Sequence, residues 1–221
     1  MDNISLYEDI KARTGGEIYL GVVGPVRTGK STFIRRFMDL CVIPSILDPN
    51  EKKRIIDELP QAGVGKTVMT TEPKFIPKTG IEIPLSNNVK AKFRLIDCVG
   101  YIVDSAQGVY EDDKERLVKT PWFDENIPFS KAAQTGTEKV IRDHSTIGIV
   151  MTTDGSIGEF TRDDYISAEE KAIMELKKIK KPFIVIVNST FPASDFTRKI
   201  ANEISEKYEV TALPMDCENL N

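Results

Sequence analysis

Eight consecutive residues, Gly24-Pro25-Val26-Arg27-Thr28-Gly29-Lys30-Ser31, carry the most specific chemistry in this chain. They fit the pattern G-x-x-x-x-G-K-[ST], whose residue types suit a polyphosphate. The two glycines let the main chain curl round an anion with several N–H groups turned inward, and the lysine reaches the β- and γ-phosphates. The Ser31 hydroxyl is of the kind that ligates Mg²⁺. The expected phosphate cradle is therefore Gly24, Pro25, Val26, Arg27, Thr28, Gly29, Lys30, Ser31 and Thr32. Its setting agrees. Ile18, Leu20, Val22 and Val23 form an apolar run that reads as a buried strand, and residues 31–41 follow as a helical pattern with Phe33, Phe37 and Leu40 on one face.

Two further elements complete the constellation. Phe93-Arg94-Leu95-Ile96-Asp97 is an apolar strand ending in an acid, which holds Mg²⁺ beside the loop hydroxyl, usually through water. Asp97-Cys98-Val99-Gly100 also reads as the D-x-x-G of a second switch in GTPase-like domains, where the Gly100 N–H meets the γ-phosphate. Between the motifs, Met69-Thr70-Thr71-Glu72-Pro73 stands where a threonine would sense metal and γ-phosphate. The residues leave open whether Thr70 or Thr71 does so. Candidate metal ligands are thus Ser31, Thr70, Thr71 and Asp97. A near-copy of the loop, Pro60-Gln61-Ala62-Gly63-Val64-Gly65-Lys66-Thr67, lacks the first glycine and follows a charged run, so it reads as a flexible loop.

Departures from the GTPase pattern point to the base. Guanine readers carry N-K-x-D after the next core strand, whereas Ile184-Val185-Ile186-Val187 leads here into Asn188-Ser189-Thr190-Phe191. Asn188 remains a candidate nucleotide contact, but no aspartate accepts the guanine N1–H and amino protons, which favours ATP. The S-A-K that often follows the last strand is replaced by Pro214-Met215-Asp216. Tyr101 stands where a water-orienting glutamine is common. Arg27, at the third variable loop position, is then a candidate source of cationic charge in cis, its alternative being a surface arginine. The candidate catalytic set is Lys30, Thr70, Thr71, Asp97 and Arg27.

The elements that must position these residues alternate along the chain. A short helix over 5–13 precedes the first strand at 17–23. The loop helix ends near Ile43-Pro44, a helical patch covers 51–59, and strands are expected at 73–76, 81–84 and 89–97, with turns at Lys78-Thr79-Gly80 and Asn87-Asn88. Residues 100–129 lack periodicity, and 101–133 read as a moving assembly surface. A short helix at 137–142 and a strand at 146–152 follow. A helix opens on the capping box Ser167-Ala168-Glu169-Glu170 and runs to 178. Then come a strand at 183–187, a helix from Ser194 with Phe196, Ile200, Ile204 and Tyr208 in register, and a last strand at 210–213. This order predicts an α/β fold with a mostly parallel sheet and helices on both faces, and the three motifs make it a P-loop NTPase of GTPase-like (TRAFAC-type) topology.

Composition narrows the class. A chain of 221 residues with net charge −4 has length for a real core and lacks the basic surface of a nucleic-acid binder. Cys41, Cys98 and Cys217 are odd in number and widely spaced, which predicts reduced thiols in a cytoplasm. The lone histidine, His144, makes no cluster and reads as loop polarity. Residues 1–15 are too polar for a signal peptide, and no apolar run approaches the roughly 18 residues of a membrane span.

The combination of GPVRTGKSTFIRRFMDL, TVMTTEPKFIP and FRLIDCVGY with the altered N-S-T-F resembles the stage IV sporulation protein A family of endospore-forming bacteria, across essentially the whole chain. The resemblance implies an ATPase of GTPase ancestry, with Lys30 as the Walker A lysine, Asp97 as the Walker B acid, and Thr70 and Thr71 as sensor threonines. It implies ATP and Mg²⁺ as cofactors. Hydrolysis would drive irreversible self-polymerisation on the outer forespore membrane, facing the mother-cell cytoplasm. A membrane-associated small peptide and coat proteins would engage through later regions. Expected organisation is a helical extension over 1–16 and a P-loop ATPase domain over 17–221, the N-terminal part of a longer protein. A regulatory GTPase-like switch and a nucleotide-stabilised scaffold with little turnover are the alternative readings, and a small-molecule kinase has no legible lid.

Overall fold

The computed structural model describes residues 15–60, 72–86, 89–103, 106, 108–111, 114–158 and 160–220. The chain runs β1 (Glu17–Val23), α1 (Lys30–Phe37), α2 (Pro49–Glu58), β2 (Lys74–Ser86), β3 (Val89–Asp97), and two small hairpins, β4 (Tyr110–Glu111) with β5 (Lys114–Glu115) and β6 (Leu117–Thr120) with β7 (Phe123–Pro128). It continues through α3 (Phe129–Lys139), β8 (Ile147–Thr153), α4 (Arg162–Lys178), β9 (Phe183–Asn188), α5 (Asp195–Tyr208) and β10 (Ala212–Met215). The central sheet has the order β10-β9-β8-β1-β3-β2. Every neighbouring pair is parallel except the antiparallel edge pair β2–β3.

Strand alternation sorts the apolar side chains into two cores. Ile18, Leu20, Val22, Leu95, Met151 and Ile186 face α1 and α2, where they meet Phe33, Ile34, Met38 and Ile55. Val23, Ile96, Val150, Val185 and Val187 face the other way, onto α3, α4 and α5. Period-2 alternation thus puts helices on both faces, as predicted. Fully burying Ile34 and Met38 is worth roughly 2 kcal/mol each. That burial fixes the angle at which α1 leaves the phosphate loop.

Several expectations shift at element boundaries. The helix predicted over 31–41 is α-helical only to Phe37, and a π-turn covers Met38–Val42. The wider turn rotates the face, so Met38 and Val42 are buried and Leu40 is 41% exposed. The two strands predicted at 73–76 and 81–84 are one strand. Ile76 pairs with Leu95 and Ile81 with Phe93, so residues 77–80 bulge opposite Arg94. Pro77 has no N–H to give the ladder, and the predicted turn becomes a bulge.

The stretch 100–129 is not aperiodic loop. It carries the hairpins β4–β5 and β6–β7, and Tyr101, Val103, Ala106 and Val109 are buried. The helix predicted at 137–142 begins at Phe129, and Phe129, Ala132 and Ala133 are fully buried in the core. Small residues at 130–137 concealed that helix. The last residues of the proposed moving surface are therefore core.

Helix α4 starts five residues before the predicted capping box. The Thr161 N–H donates to Asp164 Oδ2 at 2.8 Å and provides the N-terminal cap. Glu169, read as part of a cap, is 2% exposed in a bidentate pair with Arg162 (2.6 and 3.0 Å), and it accepts from Thr152 Oγ1 at 2.6 Å. Ser194 caps α5 as expected, accepting from the Thr197 N–H at 3.2 Å, but Phe196 faces solvent. The last strand is 212–215 rather than 210–213. Cys98 and Cys217 are buried free thiols and Cys41 is an exposed one. His144 packs edge-on against Phe75, with ring centroids 5.5 Å apart. The predicted helix at 5–13, the near-copy loop beyond Pro60 and the Asn87-Asn88 turn lie outside the described residues.

Candidate functional site

The loop is built where β1 reaches the carboxyl edge of the sheet. Gly24 has φ +127°, and a Cβ there would lie 2.2 Å from the Met151 main-chain oxygen on β8. Only glycine lets the chain turn this close to its neighbour. Gly29, at φ 86°, is the N-cap of α1, and no side chain caps that helix or places an acid in its first turn. The N–H groups of Lys30, Ser31 and Thr32 have no intrahelical acceptor, so they and the helix dipole favour an anion at the bend. Lys30 is only 5% exposed. Its Nζ donates to the Pro25 oxygen, which also accepts from Thr28 Oγ1 at 3.0 Å. Burial pushes the Lys30 pKa down, opposed by Cys98 and Asp97 nearby. A buried ammonium of this kind gains from an arriving phosphate.

Register brings the second motif alongside. Val22 on β1 is level with Asp97 on β3, and Ser31 Oγ donates to Asp97 Oδ2 at 2.8 Å. Asp97 Oδ1 is buried and has no hydrogen-bond partner among the described residues. Burial raises the Asp97 pKa, with the Ser31 hydrogen bond and the Lys30 charge opposing it. An orphaned buried acceptor beside a hydroxyl fits a hard divalent cation. Among the described residues no group of three or more His, Cys, Asp and Glu side chains is placed to hold a metal.

Main-chain contacts carry the third motif onto the loop. The Tyr101 N–H donates to Gly24 O at 3.0 Å, and the Val26 N–H donates to Tyr101 O at 2.9 Å. The β1–β3 pairing is thereby extended into the phosphate bend. Gly100, with φ +96°, passes so near that a Cβ on it would meet Gly24 O at 2.2 Å and Lys30 Nζ at 2.6 Å. The Tyr101 side chain goes elsewhere. Its ring is buried 5.0 Å from the Lys171 ammonium, and its hydroxyl has no partner among the described residues. Tyr101 thus reaches the site through its main chain alone.

Asn188, at the end of β9, braces the loop from the other side. Its Nδ2 donates to Thr28 O at 3.1 Å, and its Oδ1 accepts from the Cys217 N–H at 3.0 Å. One buried amide therefore ties the phosphate loop to the segment after β10. The whole chain, residues 1–221, matches the family described as stage IV sporulation protein A, ATPase domain. The chain belongs to this family.

Its relatives agree. The chain is 56% identical over 214 residues to stage IV sporulation protein A of Clostridioides difficile (strain 630), a match that covers 97% of this chain and 44% of that protein. It is 50% identical over 220 residues to stage IV sporulation protein A of Bacillus subtilis (strain 168), covering 100% and 45%. The chain thus spans less than half the length of these curated relatives. Among solved structures it is similar to a variant of Aquifex aeolicus Era bound to GDP and AlF4⁻, with TM-score 0.50, 16% identity, and coverage of 92% of this chain and 52% of that one. At that identity the likeness speaks for the fold alone, and it supports the P-loop, GTPase-like architecture.

In this stage IV sporulation protein A ATPase domain, the structure brings Gly24 to Thr32, Asp97, Gly100 and Asn188 to one end of the sheet. Thr70 and Thr71 lie outside the described residues. Arg27 is half-buried at φ +63°, a left-handed conformation uncommon for a residue with a Cβ. Its charge opposes the burial that pushes the Tyr165 phenol up to about 12. Arg27 is therefore near the start of α4. Sequence reasoning gave no weight to Asp154, just after β8. Burial works to raise its pKa, but hydrogen bonds from Ser156, Ser189 and Thr197 outweigh burial and hold it low. Thr197 Oγ1 donates to it at 2.6 Å and the Ser156 N–H at 2.9 Å. An acid directly after the buried run Val150-Met151-Thr152-Thr153 was the available signal.

Proposed function

We propose that this domain hydrolyses ATP with Mg²⁺. The observation that carries the reading is the Ser31–Asp97 hydrogen bond of 2.8 Å with its second carboxylate oxygen left orphaned, beside a buried Lys30 and a helix N-terminus without a cap. In this reading the loop N–H groups and Lys30 bind the β/γ-phosphates, Ser31 and Asp97 hold the metal, and the Gly100 N–H faces the γ-phosphate. When bound there, Mg²⁺ would supply neutralisation of the charge on the phosphates. Thr70 and Thr71 sense metal and γ-phosphate, and Arg27 adds cationic charge in cis. Asn188 keeps the loop in register.

Hydrolysis then releases the threonine segment and alters an interaction surface, an order–disorder change typical of such switches. We infer that the surface is the solvent-facing part of 101–128, where Tyr110 and Leu117 are exposed. Membership of the sporulation family supports coupling to self-assembly of a coat basement layer at the outer forespore membrane, on the mother-cell side. A small membrane-associated peptide and coat proteins would act through parts of the relatives beyond the matched share. No described helix is long and apolar enough to cross a membrane. Residues 1–16 are proposed as an extension to the ATPase domain.

The test is phosphate release from ATP and from GTP by the wild type and by Thr70→Ala/Thr71→Ala. The double variant is expected to turn over ATP about 10²-fold more slowly while still binding it, the size of effect seen on removing one stabilising donor. Unchanged turnover removes the sensor role.

A further inference from the structure

One residue ties the phosphate bend to β3 beyond the regular ladder. The β1–β3 register ends at Val22 and Asp97, and Pro25 and Tyr101 then form an isolated parallel bridge. Its two hydrogen bonds, from the Tyr101 N–H to Gly24 O and from the Val26 N–H to Tyr101 O, grip the peptide units on both sides of Pro25. Pro25 O is in turn the acceptor of Lys30 Nζ. The bridge therefore sets the place of the buried ammonium. No adjoining ladder bonds support it, so its strength depends on how Tyr101 itself is seated.

That seat lies against α3 and α4. The ring is 3% exposed, and the Lys171 ammonium of α4 stands 5.0 Å from its centroid. The same ammonium donates to Gln134 Oε1 of α3 at 2.8 Å, and Gln134 Nε2 donates to Glu138 Oε1 at 2.7 Å. Lys171 is exposed, so it lies over the ring as a strap joining the two helices. Two features make the strap matter. The phenol oxygen is buried without a hydrogen-bond partner among the described residues, so no polar contact fixes the tip of the ring. A cavity of about 180 Å³ also opens beside Tyr101, lined by Ile102, Val103, Ser130, Ser167 and Ala168, and close packing is missing on that side. A cation over the aromatic face supplies part of what packing does not.

We propose that Tyr101 and Lys171 are positioning residues for ATP hydrolysis. The strapped ring keeps the Tyr101 main chain bonded to the phosphate bend, and so holds Gly100 and Lys30 in their working places. The inference rests on the nucleotide reading above and deepens it, placing a control point on α3 and α4 outside the phosphate site.

Residue-resolved amide exchange on the nucleotide-free 221-residue chain tests the bridge, and ATP turnover with Mg²⁺ tests its consequence. Lys171→Met removes the charge at an exposed position and is expected to speed exchange of the Val26 and Tyr101 amides about fivefold, with the β8 amides unchanged. Lys171→Arg restores the wild-type rates. Tyr101→Ala empties the seat and is expected to lower kcat about tenfold. ATP affinity falls by less than about threefold, because the N–H groups at the start of α1 stay in place. Tyr101→Phe loses only the unpartnered hydroxyl and is expected to keep kcat within about twofold. Unchanged exchange in Lys171→Met, or faster exchange spread evenly over β1 and β8, overturns the positioning role without reference to nucleotide. A folded Tyr101→Ala with wild-type kcat overturns it as well. If Lys30→Ala turns over ATP like the wild type, the phosphate site is wrong and the effect on hydrolysis falls with it.

Discussion

Lys30→Ala lowers ATP turnover by about 10³-fold and weakens nucleotide binding, without lowering the melting temperature. The first effect follows from removing the one ammonium inside the bend, an electrostatic contribution of about 4 kcal/mol at the upper end of the range for a single donor. The second follows from burial. An ammonium only 5% exposed is held against a desolvation cost that pushes its pKa down, and its protein acceptor, Pro25 O, keeps the Thr28 hydroxyl at 3.0 Å when Lys30 is gone. The nucleotide-free variant therefore loses no necessary contact. Phosphate release and a thermal melt on the same preparations check both halves. A stable variant that turns over ATP within tenfold of wild type would show that the ammonium has no part in the chemistry.

Gly100→Ala has a comparable effect on turnover for a different reason, and it also costs stability. The added methyl would stand 2.2 Å from Gly24 O, a main-chain atom with no flexible end to swing aside, and φ +96° is strained for any residue with a Cβ. The end of β3 must move off the loop. The Tyr101-to-Gly24 and Val26-to-Tyr101 hydrogen bonds that latch the two together are lost with it. Turnover is expected to fall at least 10²-fold, and unfolding to occur with about 2–4 kcal/mol less free energy. Denaturant titration and phosphate release measure these separately. Turnover within threefold of wild type would mean that the close approach of Gly100 to Lys30 is incidental.

The parts of the site legible in the sequence are those whose chemistry is written in residue type. The spacing of Gly24, Gly29, Lys30, Ser31 and Asp97 marks them as candidates, the fold brings them to one end of the sheet, and β3 runs over residues 89–97 as its apolar pattern predicts. Pairings between distant segments were harder to read. Glu169 has the composition of a helix cap, and only the fold reveals that Arg162 and Thr152 converge on it. The helix beginning at Phe129 was concealed because Ala132, Ala133 and Gly136 bury by being small, and small residues leave little periodic hydrophobic signal. Lys78, Thr79 and Gly80 look like a turn in one dimension, and the partner strand makes them part of a bulge. Asp154 likewise gains much of its meaning from the Thr197 hydroxyl, 43 residues away. Local chemistry was visible and long-range satisfaction was not.

The most direct test of the phosphate site is amide hydrogen exchange across residues 24–32, followed with and without Mg²⁺ and saturating ATP. The account predicts that the N–H groups at the start of α1, which no side chain caps, exchange markedly more slowly with ATP present and that adenosine gives no such protection. Exchange over residues 24–32 that is unaltered by saturating ATP, or protection confined to another part of the sheet, would contradict it.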